Sequence, residues 1–181
     1  MFWPFNHFSR SRSGSDRTIG TIYGMIVARA REPGFYEVFG VPDTVDGRFD
    51  LLVLHLWMVL RRLGPASNPN RLAQRLFDHF CSDMDANLRE MGVGDLTVPK
   101  RMQKFGEAFY GRSTAYDAAL ATGHEALAQA LCKNVLNGTR LEQARQLAVY
   151  VEATLADLSA RDEADIVSGK WRFVPLPAPA Q

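Results

Sequence analysis

This 181-residue sequence has few of the features that would support a covalent framework or a charged partner. Its two cysteines, Cys81 and Cys132, are too few for a disulfide framework, and no CxxC spacing indicates a metal or redox centre. Two reduced thiols inside the fold are the simpler interpretation. The 21 basic and 20 acidic residues nearly cancel, so the charge balance indicates no nucleic-acid specificity.

Long apolar runs are also scarce. The longest extends from Leu51 to Leu60 and is interrupted by His55, whereas a helix that crosses a bilayer needs about 20 residues. The N-terminal residues do not have the order of a secretory signal, because the arginines follow the apolar residues instead of preceding them. We therefore expect a cytoplasmic protein.

Residues for catalysis or metal binding do not form a recognised pattern. His79 and Asp83 have the spacing of one helical turn, but two ligands do not make a metal site. HExxH and GxSxG motifs are missing, and Gly92-Val93-Gly94 follows a predicted helix where a phosphate loop would follow a strand. The sequence predicts no catalytic residue, no metal site and no cofactor.

Helical periodicity covers most of the chain. An apolar side chain recurs every four residues from Leu72 to Leu88, after the start signal Asn68-Pro69. Phe49–Leu63 is apolar nearly all round, which is typical of a central buried helix. No segment has convincing strand alternation. The pattern predicts an all-α, single-domain helical bundle of about six to seven helices.

Composition divides the chain into three parts. Residues 1–15 form an aromatic and basic tip with a flexible linker, residues 16–172 the helical domain, and residues 173–181 a proline-rich tail that we expect to be extended or disordered. The tip has the composition of a peripheral membrane contact, and packing on the domain or disorder is the alternative. Its aromatic side chains include Phe2, Trp3 and Phe5.

Three helix boundaries follow from turn and capping residues. Gly92 lies where a left-handed residue would end a helix. Thr97 is predicted to cap the next helix, with Pro99 in its first turn. Thr139 is predicted to open the last long helix.

The stretch Leu88–Arg112 is dense in residues that helix packing alone does not require. Phe109-Tyr110-Gly111-Arg112 places two aromatic rings beside a glycine and a forked cation, a combination typical of interface anchors. Three motifs follow one another there: LREMGVGD at Leu88–Asp95, VPKRM at Val98–Met102 and AFYGR at Ala108–Arg112, with Tyr116 just after.

These motifs resemble the ubiquinol–cytochrome c chaperone family, the assembly factors of the respiratory cytochrome bc1 complex. Phe49–Leu63 and Phe77–Met84 support the resemblance, which covers roughly residues 35–160. It implies an all-helical fold and a role in the biogenesis of cytochrome b. Eukaryotic members are mitochondrial and associated with the inner membrane, and they act with a small partner protein, near the ribosome, on newly made cytochrome b.

The sequence lacks the long basic presequence of the eukaryotic members and is similar to a bacterial relative. The resemblance therefore implies a cytoplasmic protein, peripheral at the inner face of the cytoplasmic membrane, that binds nascent cytochrome b. We expect its partner-binding surface to surround the Gly92–Gly94 bend. The candidate residues are Leu88, Arg89, Met91, Gly92, Val93, Gly94, Asp95, Pro99, Lys100, Met102, Phe109, Tyr110, Gly111, Arg112 and Tyr116.

Two alternative functions remain open at this point. The first is a haem- or small-ligand-binding helical protein that uses His55 or His79. The second is a structural interaction module that dimerises through Leu141–Leu158, where apolar residues recur at alternating steps of three and four.

Overall fold

The computed structural model describes residues 14–64 and 72–176, and within these two ranges it is all helical without a strand. In residues 14–64 and 72–176, six helices have 12 residues or more and two are short, which confirms the predicted all-α class. The helices are α1 (Gly14–Ala30), α2 (Gly34–Glu37), α3 (Val45–Leu63), α4 (Leu72–Glu90), α5 (Val98–Thr122), α6 (His124–Val135), α7 (Leu141–Ala160) and α8 (Glu163–Ser168).

Helix α3 is the centre of the bundle, as its composition predicts. Every residue from Leu51 to Val59 is buried, because α1, α4, α5, α6 and α7 all pack around it. The Thr44 hydroxyl caps its start by accepting from the Gly47 N–H at 3.1 Å. Gly64, with φ of 78°, ends it.

The start of α5 agrees with the prediction in position but not in its hydrogen bonds. Thr97 is the N-cap residue and Pro99 lies in the first turn, but Thr97 makes no capping hydrogen bond with its side chain and has helical backbone angles, φ −95° and ψ −28°. The turn is instead closed by backbone N–H groups of Thr97 and Val98, which donate to the Gly94 carbonyl at 2.8 and 3.2 Å. The predicted start of α4 at Asn68-Pro69 lies outside the described residues.

Helix α7 begins two residues later than predicted. Thr139 lies in the connector between α6 and α7, where its hydroxyl donates to the Leu136 carbonyl at 2.9 Å. Four of the six seam positions, Ala144, Ala148, Val151 and Leu158, are buried in the protein's own core, whereas Leu141 is 36% exposed and Leu155 is half-buried. Most of the seam proposed for dimerisation is therefore covered within one chain, which argues against that alternative.

The end of the described chain covers one side of the core. Short helix α8, which the sequence analysis did not predict, leads into an extended strap formed by residues 171–176. Trp171 is buried, and the ring of Phe173 packs edge-on against His55 with 5.2 Å between centroids. Arg29 of α1 donates to the Val174 carbonyl. Residues 173–176 thus belong to the body, while 177–181 and the predicted tip and its linker up to residue 13 lie outside the described residues.

Candidate protein-binding surface

The bend between α4 and α5 is a glycine-terminated helix end. The Val93 N–H donates to the Leu88 carbonyl at 3.0 Å, and the Gly92 N–H to the Arg89 carbonyl at 2.9 Å. This pair of bonds is a Schellman motif, and it requires the left-handed backbone of Gly92, whose φ is 78°. The predicted role of Gly92 is confirmed, and the motif fixes the direction in which the connector leaves α4.

An arginine braces this connector from outside. Arg89 Nε donates to Asp85 Oδ2 at 2.7 Å, and a second guanidinium nitrogen reaches Asp95 across the bend. All three side chains are largely accessible to solvent. Arg89 and Asp95, both predicted as contact residues, therefore hold the shape of the bend and already bind each other.

The α4–α5 hairpin exposes three large apolar or aromatic side chains. Met91 is 46% exposed, Leu96 92% and Tyr110 61%. Tyr110 lies about 18 Å along the axis of α5 from Val98, at about 1.5 Å per residue, and rests on Phe77 of α4 with 5.7 Å between ring centroids. Leu96 was not among the residues predicted from the sequence. The available signal was its place between Asp95 and Thr97 in a connector, where no helical periodicity indicates that a leucine is buried.

Three cations follow the bend on α5. Lys100, Arg101 and Lys104 are exposed, and none has an ion pair within the described parts of the chain. Lys100 and Lys104 lie on the same side of the helix, one turn apart. Only Lys100 was predicted from the sequence. We call the set Met91, Leu96, Lys100, Arg101, Lys104 and Tyr110 the hairpin face.

Three predicted contact residues lie in the core instead. Leu88, Phe109 and Tyr116 are buried. Phe109 packs against Phe77 with 4.8 Å between ring centroids, and Tyr116 against Trp57 with 5.2 Å. The helical repeat places positions 109 and 116 on the inward side of α5, so these residues support the hairpin and do not present a surface.

Arg112 also turns inward, towards α3. Its guanidinium lies 2.5 Å from Asp50 Oδ1, outside hydrogen-bond angles, and 5.9 Å from the centre of the Phe49 ring. Burial raises the pKa of Asp50 to about 6, although Arg112 opposes the shift. Asp50 was not predicted as a functional residue. Its position directly before the apolar run Leu51–Leu60 was the available signal, because a carboxylate buried there requires a partner.

The remaining predicted residues are placed around the bend without a shared contact. Gly94, Pro99 and Gly111 are exposed, and Val93 and Met102 are half-buried. No atom lies within 4 Å of the position that a Cβ would take at Gly94 or Gly111. The sequence prediction thus located the exposed bend but did not separate its outer side chains from those beneath it.

The histidines proposed as haem ligands are engaged in other contacts. His55 is fully buried, with Nδ1 2.7 Å from the Leu51 carbonyl and Nε2 2.9 Å from the Tyr150 hydroxyl. Because the Leu51 carbonyl can only accept, Nδ1 carries the proton, and Nε2 accepts from the Tyr150 hydroxyl, to which Arg29 Nε also donates at 3.0 Å. Burial lowers the pKa of His55 to about 3. Neither ring nitrogen is therefore available to a metal, and His55 is a core residue.

The ring of His79 packs edge-on against Tyr23, with 4.9 Å between centroids. Among the residues that the structure describes, no three His, Cys, Asp or Glu side chains converge as metal ligands would. None of the described helices combines the length and the apolar character that a membrane span requires.

Comparison with known proteins places most of the described body in one family. The sequence model described as ubiquinol–cytochrome c chaperone matches residues 37–173. The chain is 28% identical over 160 residues to ubiquinol–cytochrome c reductase complex assembly factor 1 of Xenopus laevis, covering 86% of this chain and 80% of that protein. The human protein of that name is 30% identical over 160 residues, covering 86% of this chain and 53% of its own length.

A yeast relative, the mitochondrial protein CBP3 of Saccharomyces cerevisiae, is 29% identical over 148 residues. The alignment covers 78% of this chain and 44% of the yeast protein, so the chain spans about half of its human and yeast relatives. The crystal structure of the Cbp3 homolog from Brucella abortus superposes with a TM-score of 0.80 at 38% identity, covering 90% of this chain and 91% of that chain. The chain therefore belongs to the ubiquinol–cytochrome c chaperone family, whose members are assembly chaperones and not enzymes.

Proposed function

We propose that this protein is an assembly chaperone of the cytochrome bc1 complex, ubiquinol–cytochrome c reductase, and that it binds newly made cytochrome b through the hairpin face. The relatives are named as assembly factors of that complex. The observation that supports the location is Leu96, which is 92% exposed at the tip of a braced hairpin. Exposed apolar side chains indicate a binding surface when they are grouped, and Met91, 46% exposed, lies at the same bend as Leu96.

The hairpin face has the properties that transient binding requires. Covering Leu96 completely would contribute about 1.5–3 kcal/mol, and covering Met91, which is 46% exposed, about half as much, before the cost of association. Met91 can adapt to different client surfaces because its side chain is unbranched and flexible. A client held by so few apolar contacts can be released once its own helices pack together.

The cations of the hairpin face fit a client at the membrane. Lys100, Arg101 and Lys104 carry positive charge next to the apolar tip, and such residues are attracted to the anionic lipids of a cytoplasmic leaflet. We accordingly place the protein peripherally at the inner face of that membrane. The ribosome and the small partner protein of eukaryotic members are not part of this proposal.

The test is co-purification of cytochrome b with a tagged chaperone from native membranes. In the variant Leu96→Asp with Tyr110→Ala, the apolar contacts are lost and a charge must be desolvated, so we expect recovery of cytochrome b to fall at least about ten-fold. Assembled bc1 complex in the same membranes should fall as well.

A matched control is Val149→Asp, which adds the same charge at an apolar position on α7 that is 58% exposed. It should retain wild-type recovery of cytochrome b, and circular dichroism should show unchanged helix content for both variants. Undiminished recovery with the Leu96 variant would place the client surface elsewhere.

A further inference from the structure

Buried polar atoms without a hydrogen-bond partner are concentrated where α5 meets α3. Among the described residues, six side-chain nitrogen or oxygen atoms are buried in this way. Four of the six lie on α5 or on the residue of α3 beneath it: Arg112 Nε, Ser113 Oγ, Tyr116 Oη and Asp50 Oδ1. A polar atom that has lost water without gaining a partner destabilises the arrangement that buries it. The polar atoms therefore weaken the contact of α5 with α3.

The charged pair in this group is only partly compensated. The Arg112 guanidinium lies 2.5 Å from Asp50 Oδ1 but outside hydrogen-bond angles. Burial, with a smaller contribution from Asp46, raises the pKa of Asp50 to about 6 although Arg112 opposes the shift. Loss of hydration thus outweighs the attraction between the two charges. Both charges would be better hydrated if α5 moved away from α3.

Helix α5 has little else to hold it. It is the longest described helix, with 25 residues, but four of them are buried, against 12 of the 19 residues of α3. No residue between Val98 and Phe109 is buried. Gly106 and Gly111 lie inside the helix, and no described atom lies within 4 Å of the position that a Cβ would take at either. Packing does not require these glycines, and each makes a less stable helix than alanine does. An element of this kind opens locally at lower cost than the rest of the fold.

Helix α5 covers a series of aromatic rings. Neighbouring rings in the series have 4.8–6.5 Å between centroids. Three of them belong to α3 and α4 and three to α5, and we call the six the aromatic cluster: Phe49, Phe77, Phe80, Phe105, Phe109 and Tyr110. Displacement of α5 would separate the two halves of this cluster and expose both.

We propose that α5 is an opening cover, which leaves α3 and α4 by local unfolding while the rest of the bundle stays folded, and that the uncovered aromatic cluster enlarges the apolar surface offered by the hairpin face. Opening returns the polar atoms of Asp50, Arg112 and Tyr116 to water, which offsets part of the cost of exposing the rings. Detachment and unravelling occur together, because most helices depend on packing for their stability. The use of the open form by a client rests on the proposed function, whereas the opening does not.

Thiol labelling of the full chain measures the opening. In a protein with Cys81→Ala and Cys132→Ala, the substitution Ser113→Cys places a thiol at one of the buried positions of α5. Thr154→Cys is the matched control, because that hydroxyl is buried on α7. We expect iodoacetamide to react at position 113 at least about 100-fold faster than at position 154, with little dependence on urea, because local opening exposes less surface than global unfolding. Equal rates with equal urea dependence would overturn the proposal.

A neighbouring exposed position shows whether the thiol is covered in the closed form. Thr114 is exposed on α5, so Thr114→Cys gives the rate of an accessible thiol. Reaction at position 113 should be at least about ten-fold slower than at position 114, since it waits for the cover to open. Equal rates at the two positions would show that α5 covers nothing there and would overturn the proposal.

Replacement of the charged pair tests what drives the opening. Asp50→Leu with Arg112→Met removes two poorly hydrated charges, so reaction at position 113 should slow at least about five-fold. Glu125→Leu with Arg145→Met removes an exposed ion pair between α6 and α7 and should leave the rate unchanged. An unchanged or faster rate in the first variant would contradict the assigned role of the charged pair.

The double variant Gly106→Ala with Gly111→Ala needs no repacking and strengthens the helix directly. It should slow reaction at position 113 about ten-fold, and an unchanged rate would contradict local unfolding of α5. The same variant should reduce recovery of cytochrome b, because the client would have to open a more stable cover. Slower labelling with undiminished recovery would overturn the use of the open form. Labelling involves no client, so its outcome and that of the proposed function are distinguishable.

Discussion

At the scale of single residues, two buried titratable groups have shifted pKa values. The two shifts change the free energy of unfolding in opposite directions as the pH falls. Burial raises the pKa of Asp50 to about 6 and lowers that of His55 to about 3. The folded protein therefore binds a proton at Asp50 more readily than the unfolded chain does, and it binds one at His55 less readily. Each difference makes the free energy of unfolding depend on pH.

The sign of each contribution follows from proton uptake. As pH falls below about 6.5, the unfolded chain protonates His55 while the folded protein does not, so His55 reduces stability down to about pH 3. Between about pH 6 and pH 4 the folded protein takes up a proton at Asp50 before the unfolded chain does, so Asp50 increases stability. The two effects partly cancel in that window.

The variant Asp50→Asn removes the compensating group. We expect its free energy of unfolding to decline more steeply than that of the wild type between pH 6 and pH 4, by up to about 1.4 kcal/mol per pH unit. Urea unfolding at a series of pH values measures this difference. Parallel pH profiles for the two proteins would show that Asp50 has an ordinary pKa in the folded state.

At the scale of the elements, the boundaries that the sequence predicted well were those set by local backbone chemistry. Gly92 ends α4 because a helix end of this type needs a left-handed residue, and that requirement is visible in the sequence. Thr97 is at the predicted N-cap position but does not cap with its hydroxyl, and Thr139 does not open α7. A threonine hydroxyl can bind several nearby carbonyl or N–H groups. Tertiary position decides which of these bonds forms.

The candidate site was only partly predictable for the same reason. The motif string located the hairpin, and the helical repeat could have separated Tyr110 outside from Phe109 inside. The inward contact of Arg112 with Asp50 depends on how α5 crosses α3, which no local pattern specifies. The strap of residues 171–176 was missed because a proline-rich segment indicates extension but not the surface on which it packs.

The bend of the hairpin offers a controlled test of backbone strain. Gly92→Ala places a Cβ in open space but at a φ of 78°, so we expect it to cost about 1–2 kcal/mol of stability from backbone conformation alone. Gly94→Ala adds the same methyl group, also in open space and without a positive φ, and should be nearly neutral. Chemical denaturation of both variants gives the comparison, and equal losses would contradict this account.

At the scale of the whole molecule, we predict that α7 packs within its own chain and does not form an oligomer interface. Val151 is fully buried within one chain, so Val151→Asp should strongly reduce the melting temperature, because it buries an unpaired charge. Light scattering of the wild type should give the mass of one chain at every concentration tested. Dimerisation through α7 would be supported instead if the mass rises with concentration and Val151→Asp reduces it to that of one chain without loss of helix content.

The strap has a consequence for how the chaperone itself matures during translation. Synthesis proceeds from the N-terminus, so α1, α3 and α7 leave the ribosome before Trp171 and Phe173 do. Until those residues emerge, Arg29 lacks the Val174 carbonyl and the ring of His55 lacks Phe173 on one side. The nascent chaperone thus passes through a stage with an uncovered interior, in which it resembles the unfinished proteins that its family assists.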